Sequence, residues 1–262
     1  MSAVPQSLLS DPATPRRGRV ELAGVWRGSQ LAHAAALRVQ PTGHAALDAQ
    51  LPGGGWPRGA LAEVLQPPHG RHEWPLVLPA LACATAHGPG RIVLVAPPCE
   101  PFAPVLQAAG LPAWRLCWID ATAAEAAWAC EQALRCRDVL AVLAWLPQAR
   151  PEALRRLQLA AAQQQALLWA FRSDAALRQA SPAPLRLAVR GVPEGVEVRL
   201  LKRRGPPLLE PLLLPAHAPP LAQVLAAARA RRAAAVQAPA APTRTISWSP
   251  GHALDRMVRA AG

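Results

Sequence analysis

Between residues 60 and 171, short apolar runs alternate with longer segments of helical period. ALAEVL (60–65), RIVLVA (91–96), WRLCWI (114–119), VLAVLAW (139–145) and ALLWAF (166–171) have strand length and almost no polar interruption. That is the pattern of strands covered on both faces. Residues 73–87, 101–109, 122–136 and 151–165 read as the helices between them. In the third of these, Ala126, Cys130, Ala133 and Leu134 share one stripe; the fourth opens with Pro151 at the first helical position and sets Leu154, Leu157 and Ala161 on one face. Pro75 fits a first turn, whereas Pro79 predicts a kink. Upstream, residues 25–38 form an Ala-rich helical segment. Thr42 is placed to cap a short helix through Leu51, which the PGGG turn at 52–55 ends.

After residue 171 the pattern changes. LRLAVRGVPEGVEVRLLKRRGPPLLEPLLLP (185–215) holds β-rich runs parted by Gly/Pro turns, with no helix between them. Val196, Val198 and Leu200 alternate with Glu197, Arg199 and Leu201, as on a half-buried strand. These runs predict antiparallel strands added to the edge of a parallel sheet. The fold class is therefore α/β: a mostly parallel sheet flanked by helices, with antiparallel strands near the C-terminal end of the core. Three segments follow: 1–40, disordered over its first twenty residues and then helical; a core over 41–215; and a basic Ala/Pro/Arg-rich helix and tail over 216–262.

Composition narrows the function classes. No apolar run approaches the ~20 residues of a membrane span, and residues 1–20 lack a secretory pattern, so the expectation is a cytoplasmic protein without a membrane partner. The five cysteines have no CxxC spacing and are expected to be buried thiols, with no metal site. Among the tryptophans, Trp114, Trp118, Trp145 and Trp169 lie in or beside apolar strands and are expected in the core. Trp26, Trp56 and Trp74 flank the Gly-rich region and are read as packing residues. Lys and Arg outnumber Asp and Glu by 28 to 16, and the excess is uneven: 12 against 10 over residues 1–150, but 16 against 6 over 151–262. An acidic partner would dock on the C-terminal part, and DNA is a candidate. The basic clusters Lys202, Arg203, Arg204 and Arg229, Arg231, Arg232 are candidate contacts for DNA or a protein partner, with Trp248 as a candidate interface anchor.

The stretch LPGGGWPRGALAEVLQPPHGRHEW (51–74) has the layout of a phosphate-binding loop: a Gly-rich turn, a strand, a second loop and a helix. Such a loop needs exposed backbone N–H groups, a Lys for the outer phosphates and a Ser/Thr for magnesium. Here Gly70 stands for the second glycine, Arg71 follows where Lys belongs and His72 where Ser/Thr belongs. Pro67 and Pro68 have no N–H to offer. The strand that should end in a magnesium-holding acid, VLAVLAWLP, ends in Ala144 and Trp145. Glu100 and Asp120 follow strand ends and are read as surface residues. No catalytic residue and no cofactor are assigned.

The order TGHAALDAQLPGGGWPRGALAEVL resembles the approach to a RecA/RadA recombinase core. More specifically, VWRGSQLAH (25–33), LPGGGWPRGAL (51–61), VLAWLP (142–147) and VRLLKRRGPP (198–207) resemble, in this order, the ImuA family over roughly residues 22–215. The resemblance implies a RecA-like core without a dependable ATPase motif and a non-catalytic role in damage-induced translesion DNA synthesis. It implies as partners an ImuB-like inactive relative of Y-family polymerases, RecA and, indirectly, an error-prone C-family polymerase. Two other readings stay open: a divergent ATPase with Arg71 in place of Lys, and a cell-division inhibitor of the same fold.

Overall fold

A computed structural model describes residues 38–70, 72–215, 227–228 and 230–232. The expectations for 1–37, including the disordered and helical segments and Trp26, lie outside the described residues, as do those for most of 216–262.

Eight strands form one sheet: β3 (Ala60–Gln66), β4 (Arg91–Val95), β5 (Leu116–Ile119), β6 (Val139–Trp145), β7 (Leu167–Ser173), β8 (Leu185–Val192), β9 (Gly195–Lys202) and β10 (Leu212–Leu214), in the order β10-β9-β8-β3-β7-β6-β4-β5. A separate small ladder pairs β1 (Val39–Gln40) with β2 (Trp56–Pro57). The chain is thus α/β, mostly parallel, with antiparallel pairing near the C-terminal end of the core. One refinement concerns β8: it runs parallel to β3, with Ala62 opposite Leu185, and the direction reverses only at β9. The turn Pro193–Glu194 is short enough for a hairpin, so β8 belongs to the parallel body and β9 begins the antiparallel edge.

Helices cover both faces. On one lie α1 (Ala45–Asp48), α2 (Glu73–His87) and α3 (Ala103–Ala108), packed on Val64, Leu94, Leu143, Trp169 and Leu187. On the other lie α4 (Ala126–Arg135) and α5 (Pro151–Gln164), packed on Leu61, Val95, Val142 and Leu168. Each large side chain so buried contributes roughly 1.5–3 kcal/mol, which is why the strands read as unbroken apolar runs. The period-2 stretch in β9 has the expected sidedness, with Val196, Val198 and Leu200 buried and Leu201 exposed.

Pro79 lies inside α2 and has no N–H for the Pro75 carbonyl one turn earlier. That carbonyl accepts instead from His44 Nε2, at 3.0 Å. The approach is close: a Cβ on Gly43, whose φ is +81°, would lie 2.4 Å from the Pro79 Cβ. Thr42 does not cap α1 as expected. His44 holds the cap position, while Thr42 Oγ1 accepts from the His44 N–H and Thr42 N–H donates to Asp48 Oδ1. Helix α4 starts at Ala126, one turn beyond the expected Thr122; in that turn the Glu125 carboxylate accepts from both the N–H and the hydroxyl of Thr122. The same two bonds hold the Glu125 carboxyl below its ordinary value.

Several burial expectations are overturned at the β5 edge. Strand β5 has β4 on one side and no partner on the other among the described residues. Trp118 is therefore 41% exposed, and Trp114, in a 3₁₀ turn ahead of the strand, is 66% exposed. Trp145 and Trp169 are buried as expected, as is Trp56, which meets Trp169 edge-to-face; Trp74 packs against the core. Of the cysteines only Cys130 is buried, and burial pushes its thiol well above the ordinary value; Cys99, Cys117 and Cys136 are exposed and Cys83 is half-buried. The exposed three sit at or beside the open β5 edge or in loops, where a short apolar run fixes no covered face. No helix among the described residues is long and apolar enough to cross a membrane.

Candidate functional site

Open α/β sheets bind ligands beyond the carboxyl ends of their strands. There the loop after β3 runs through Pro67, Pro68, His69 and Gly70 to the start of α2. It closes as a tight turn, with the Gly70 N–H donating to the Pro67 carbonyl at 2.8 Å. The His72 N–H donates to Gln66 Oε1 at 3.4 Å, and its ring lies against Gly191 of β8, where an added Cβ would come within 2.6 Å of it. Gly70 and His72 are thus turned into the fold. Arg71 lies outside the described residues.

A cleft of about 370 Å³ opens beside this loop, between the ends of β3, β4, β6 and β7. Its walls include Pro67, Pro68, Pro98 and Pro147 together with Trp145 and Phe171. A phosphate site needs converging N–H donors and the positive end of a helix; four of these positions have no N–H. The helix end is also taken. Glu73 is buried in the first turn of α2, where the helix dipole favours its carboxylate, and its Oε2 has no hydrogen-bond partner among the described residues. A second negative group would be repelled there.

The polar side chains on the cleft wall are bonded within the protein. Gln66 accepts from His72, and Ser173 Oγ accepts from the Ala175 N–H at 3.2 Å. Arg172 belongs to a buried ion cluster that sequence reasoning missed. Its Nη1 lies 2.6 Å from Glu63 Oε1, while Arg186 Nε lies 2.6 Å from Glu63 Oε2. Arg172 Nη2 also donates to the Ala149 carbonyl and Gln179 Oε1, and Arg186 Nη2 to the Ala176 carbonyl. Register explains the meeting: Glu63 sits opposite Arg186 across β3–β8, and Arg172 is two residues beyond the β7 partner of Glu63. The signal was a lone acid in the most apolar strand, which must find a cation if it is ionised.

The structure does not bring the basic candidates to this cleft. Lys202 ends β9 and Arg203 and Arg204 follow it; because β9 runs against the parallel strands, they lie at the opposite end of the sheet. Lys202 Nζ donates to the Ser181 carbonyl at 3.0 Å; Arg203 donates to the carbonyls of Pro206 and Gln50. Arg203 and Arg204 line a second cleft of about 360 Å³ with Arg58, Gln158, Pro182 and Pro184. Arg231 and Arg232 are helical and exposed; Arg229 and Trp248 lie outside the described residues. Glu100 and Asp120 are exposed, as expected of surface residues. No cluster of His, Cys, Asp and Glu among the described residues has the makings of a metal site.

No protein-family model matches the chain, and no curated protein matches it.

Proposed function

We propose that this chain is a RecA-like, non-catalytic accessory protein of damage-induced translesion DNA synthesis, of the ImuA kind. The observation that carries the reading is the loop after β3. It keeps the strand–loop–helix placement of a nucleotide site on a central strand, while Pro67 and Pro68 remove its donors, Gly70 closes the turn and Glu73 occupies the helix end. Trp145 ends the strand where an acid would hold magnesium. The four ordered segments that resemble ImuA supply the biological role. The partners are then an ImuB-like polymerase relative, RecA and, through them, an error-prone polymerase, with protein contacts replacing hydrolysis.

Damage-induced mutation frequency in a strain lacking the gene, with and without complementation, tests this. Collapse of induced mutagenesis and its return with the intact gene is the expected outcome. An unchanged frequency overturns the reading.

A further inference from the structure

The amino end of the sheet carries a feature that the nucleotide loop does not explain. Four of the six parallel strands have an arginine at or just before their start: Arg58 before β3, Arg91 opening β4, Arg115 before β5 and Arg137 before β6. Because the strands are parallel and in register at their starts, with Ala60 opposite Leu167 and Arg91 opposite Val139, these residues emerge at one end. The reversal at β9 delivers Arg203 and Arg204 to the same end. Asp138 is the acid among these strand starts.

The arginines are linked by clefts. Arg58 lines the cleft that holds Arg203 and Arg204 and also a neighbouring one of about 190 Å³ with Gly90, Arg137 and Gln165. Gly90 leads to Arg91, whose guanidinium lies 5.9 Å from the Trp114 ring centre; that of Arg115 lies at 5.3 Å. Trp114 is mostly exposed. In the sheet order, β9 and β5 are six strands apart, so this line spans about 29 Å at ~4.8 Å per strand.

We propose that this edge is a binding track for single-stranded DNA, running from Arg204 past Arg58 and Arg137 to Trp114. A line of cations one or two strands apart follows a phosphate backbone. Proline-walled clefts accept sugars and bases, and an exposed indole beside two guanidiniums gives a base a surface on which to stack. The charges are spread along an extended path and not gathered into one patch, which fits a flexible strand better than an acidic peptide. The choice of DNA over RNA rests on the function proposed above; the track itself rests on the charge and the clefts.

The test is fluorescence anisotropy of labelled dT30 with the full-length protein, in a salt series, beside rU30 and a 30-base-pair duplex. The double variant Arg137→Gln/Arg204→Gln removes two exposed cations. It is expected to weaken dT30 binding at least tenfold at low salt and to flatten the slope of log affinity against log salt by roughly 1.4, at about 0.7 per phosphate. Trp114→Ala is expected to weaken binding five- to fiftyfold with the slope unchanged. Arg150→Gln/Arg178→Gln, two cations at the carboxyl end, is expected to stay within twofold. Unchanged melting curves show that each variant folds. The proposal is overturned if the intact chain fails to bind dT30, if duplex or rU30 binds more tightly, or if the double variant binds normally while deletion of 216–262 abolishes binding. None of these outcomes bears on mutagenesis in the deletion strain, and an unchanged mutation frequency there leaves the track standing.

Discussion

The two ends of the sheet use charge in opposite ways. At the carboxyl end and in the strands leading to it, the central charges are buried inside the protein: Glu63 paired with Arg172 and Arg186, and Glu73 at the start of α2. The loops around them carry Pro67, Pro68, Pro98 and Pro147. At the amino end the charges are arginines at strand starts that line open clefts. A cation committed to a buried carboxylate is part of the fold, whereas one facing solvent is available to a partner. At the carboxyl end the polar side chains of the cleft wall are bonded within the protein, while at the amino end Arg137 and Arg204 are exposed on the walls of open clefts.

This contrast is sharpest in stability. Glu63→Gln is expected to cost about 3–5 kcal/mol in urea denaturation, because it leaves two buried guanidiniums without their counter-charge. Arg137→Gln or Arg204→Gln is expected to fall within about 0.5 kcal/mol of the parent. If Glu63→Gln melts like the parent, the triad is not what holds the carboxyl half together, and the contrast fails at its stronger side.

The next effect lies at Pro79 in α2. His44→Ala removes the donor that serves the Pro75 carbonyl, a loss of about 1–3 kcal/mol for a buried acceptor. The site also sets a pH dependence. Burial holds the His44 imidazole below its ordinary value of 6.5, against a smaller opposing effect of the Pro75 hydrogen bond. The folded protein therefore binds this proton less readily than the unfolded chain. The stabilisation is full above about 6.5 and is lost as pH falls from there through the folded-state value. Urea melts at pH 7.5 and pH 5.5 should show a smaller pH difference in His44→Gln than in the parent; an equal difference would place the acid sensitivity elsewhere.

Which parts were legible in the sequence follows from the physics of each. Strands β3, β4, β6 and β7 are buried on both faces, so their apolar runs declared them, and the donor-poor loop was visible in Pro67 and Pro68. Strand β5 misled, because an edge strand can share the composition of a central one. WRLCWI has the apolar content of RIVLVA, yet Trp114 and Trp118 are exposed since no strand covers that edge. The Glu63 cluster depends on register between β3, β7 and β8, which no local pattern fixes. The amino-end track was half legible. GRIVLV, WRLCWI and CRDVLA each set an arginine at the head of an apolar run, but only a parallel sheet turns that repetition into a line. The cluster at 202–204 drew attention as a compact run, although its position depends on the reversal at β9.

The smallest expected effect concerns the residue that a nucleotide site would need most. Arg71 follows Gly70 in the position of the phosphate-binding lysine. In a working site its loss would abolish function, since a cation there offsets charge on the transferred phosphate. The surrounding loop argues otherwise: the prolines withhold donors, the Gly70 N–H is bonded within its own turn, and the buried Glu73 carboxylate would oppose an incoming phosphate. Arg71→Ala is therefore expected to leave damage-induced mutagenesis within about twofold of the parent at equal protein level, a change of under ~0.5 kcal/mol if it acts through one equilibrium. Complete loss of mutagenesis, with normal protein level and magnesium-dependent ATP binding by the parent, would restore the carboxyl end as a working site. The division of labour between the two ends would then have to be abandoned.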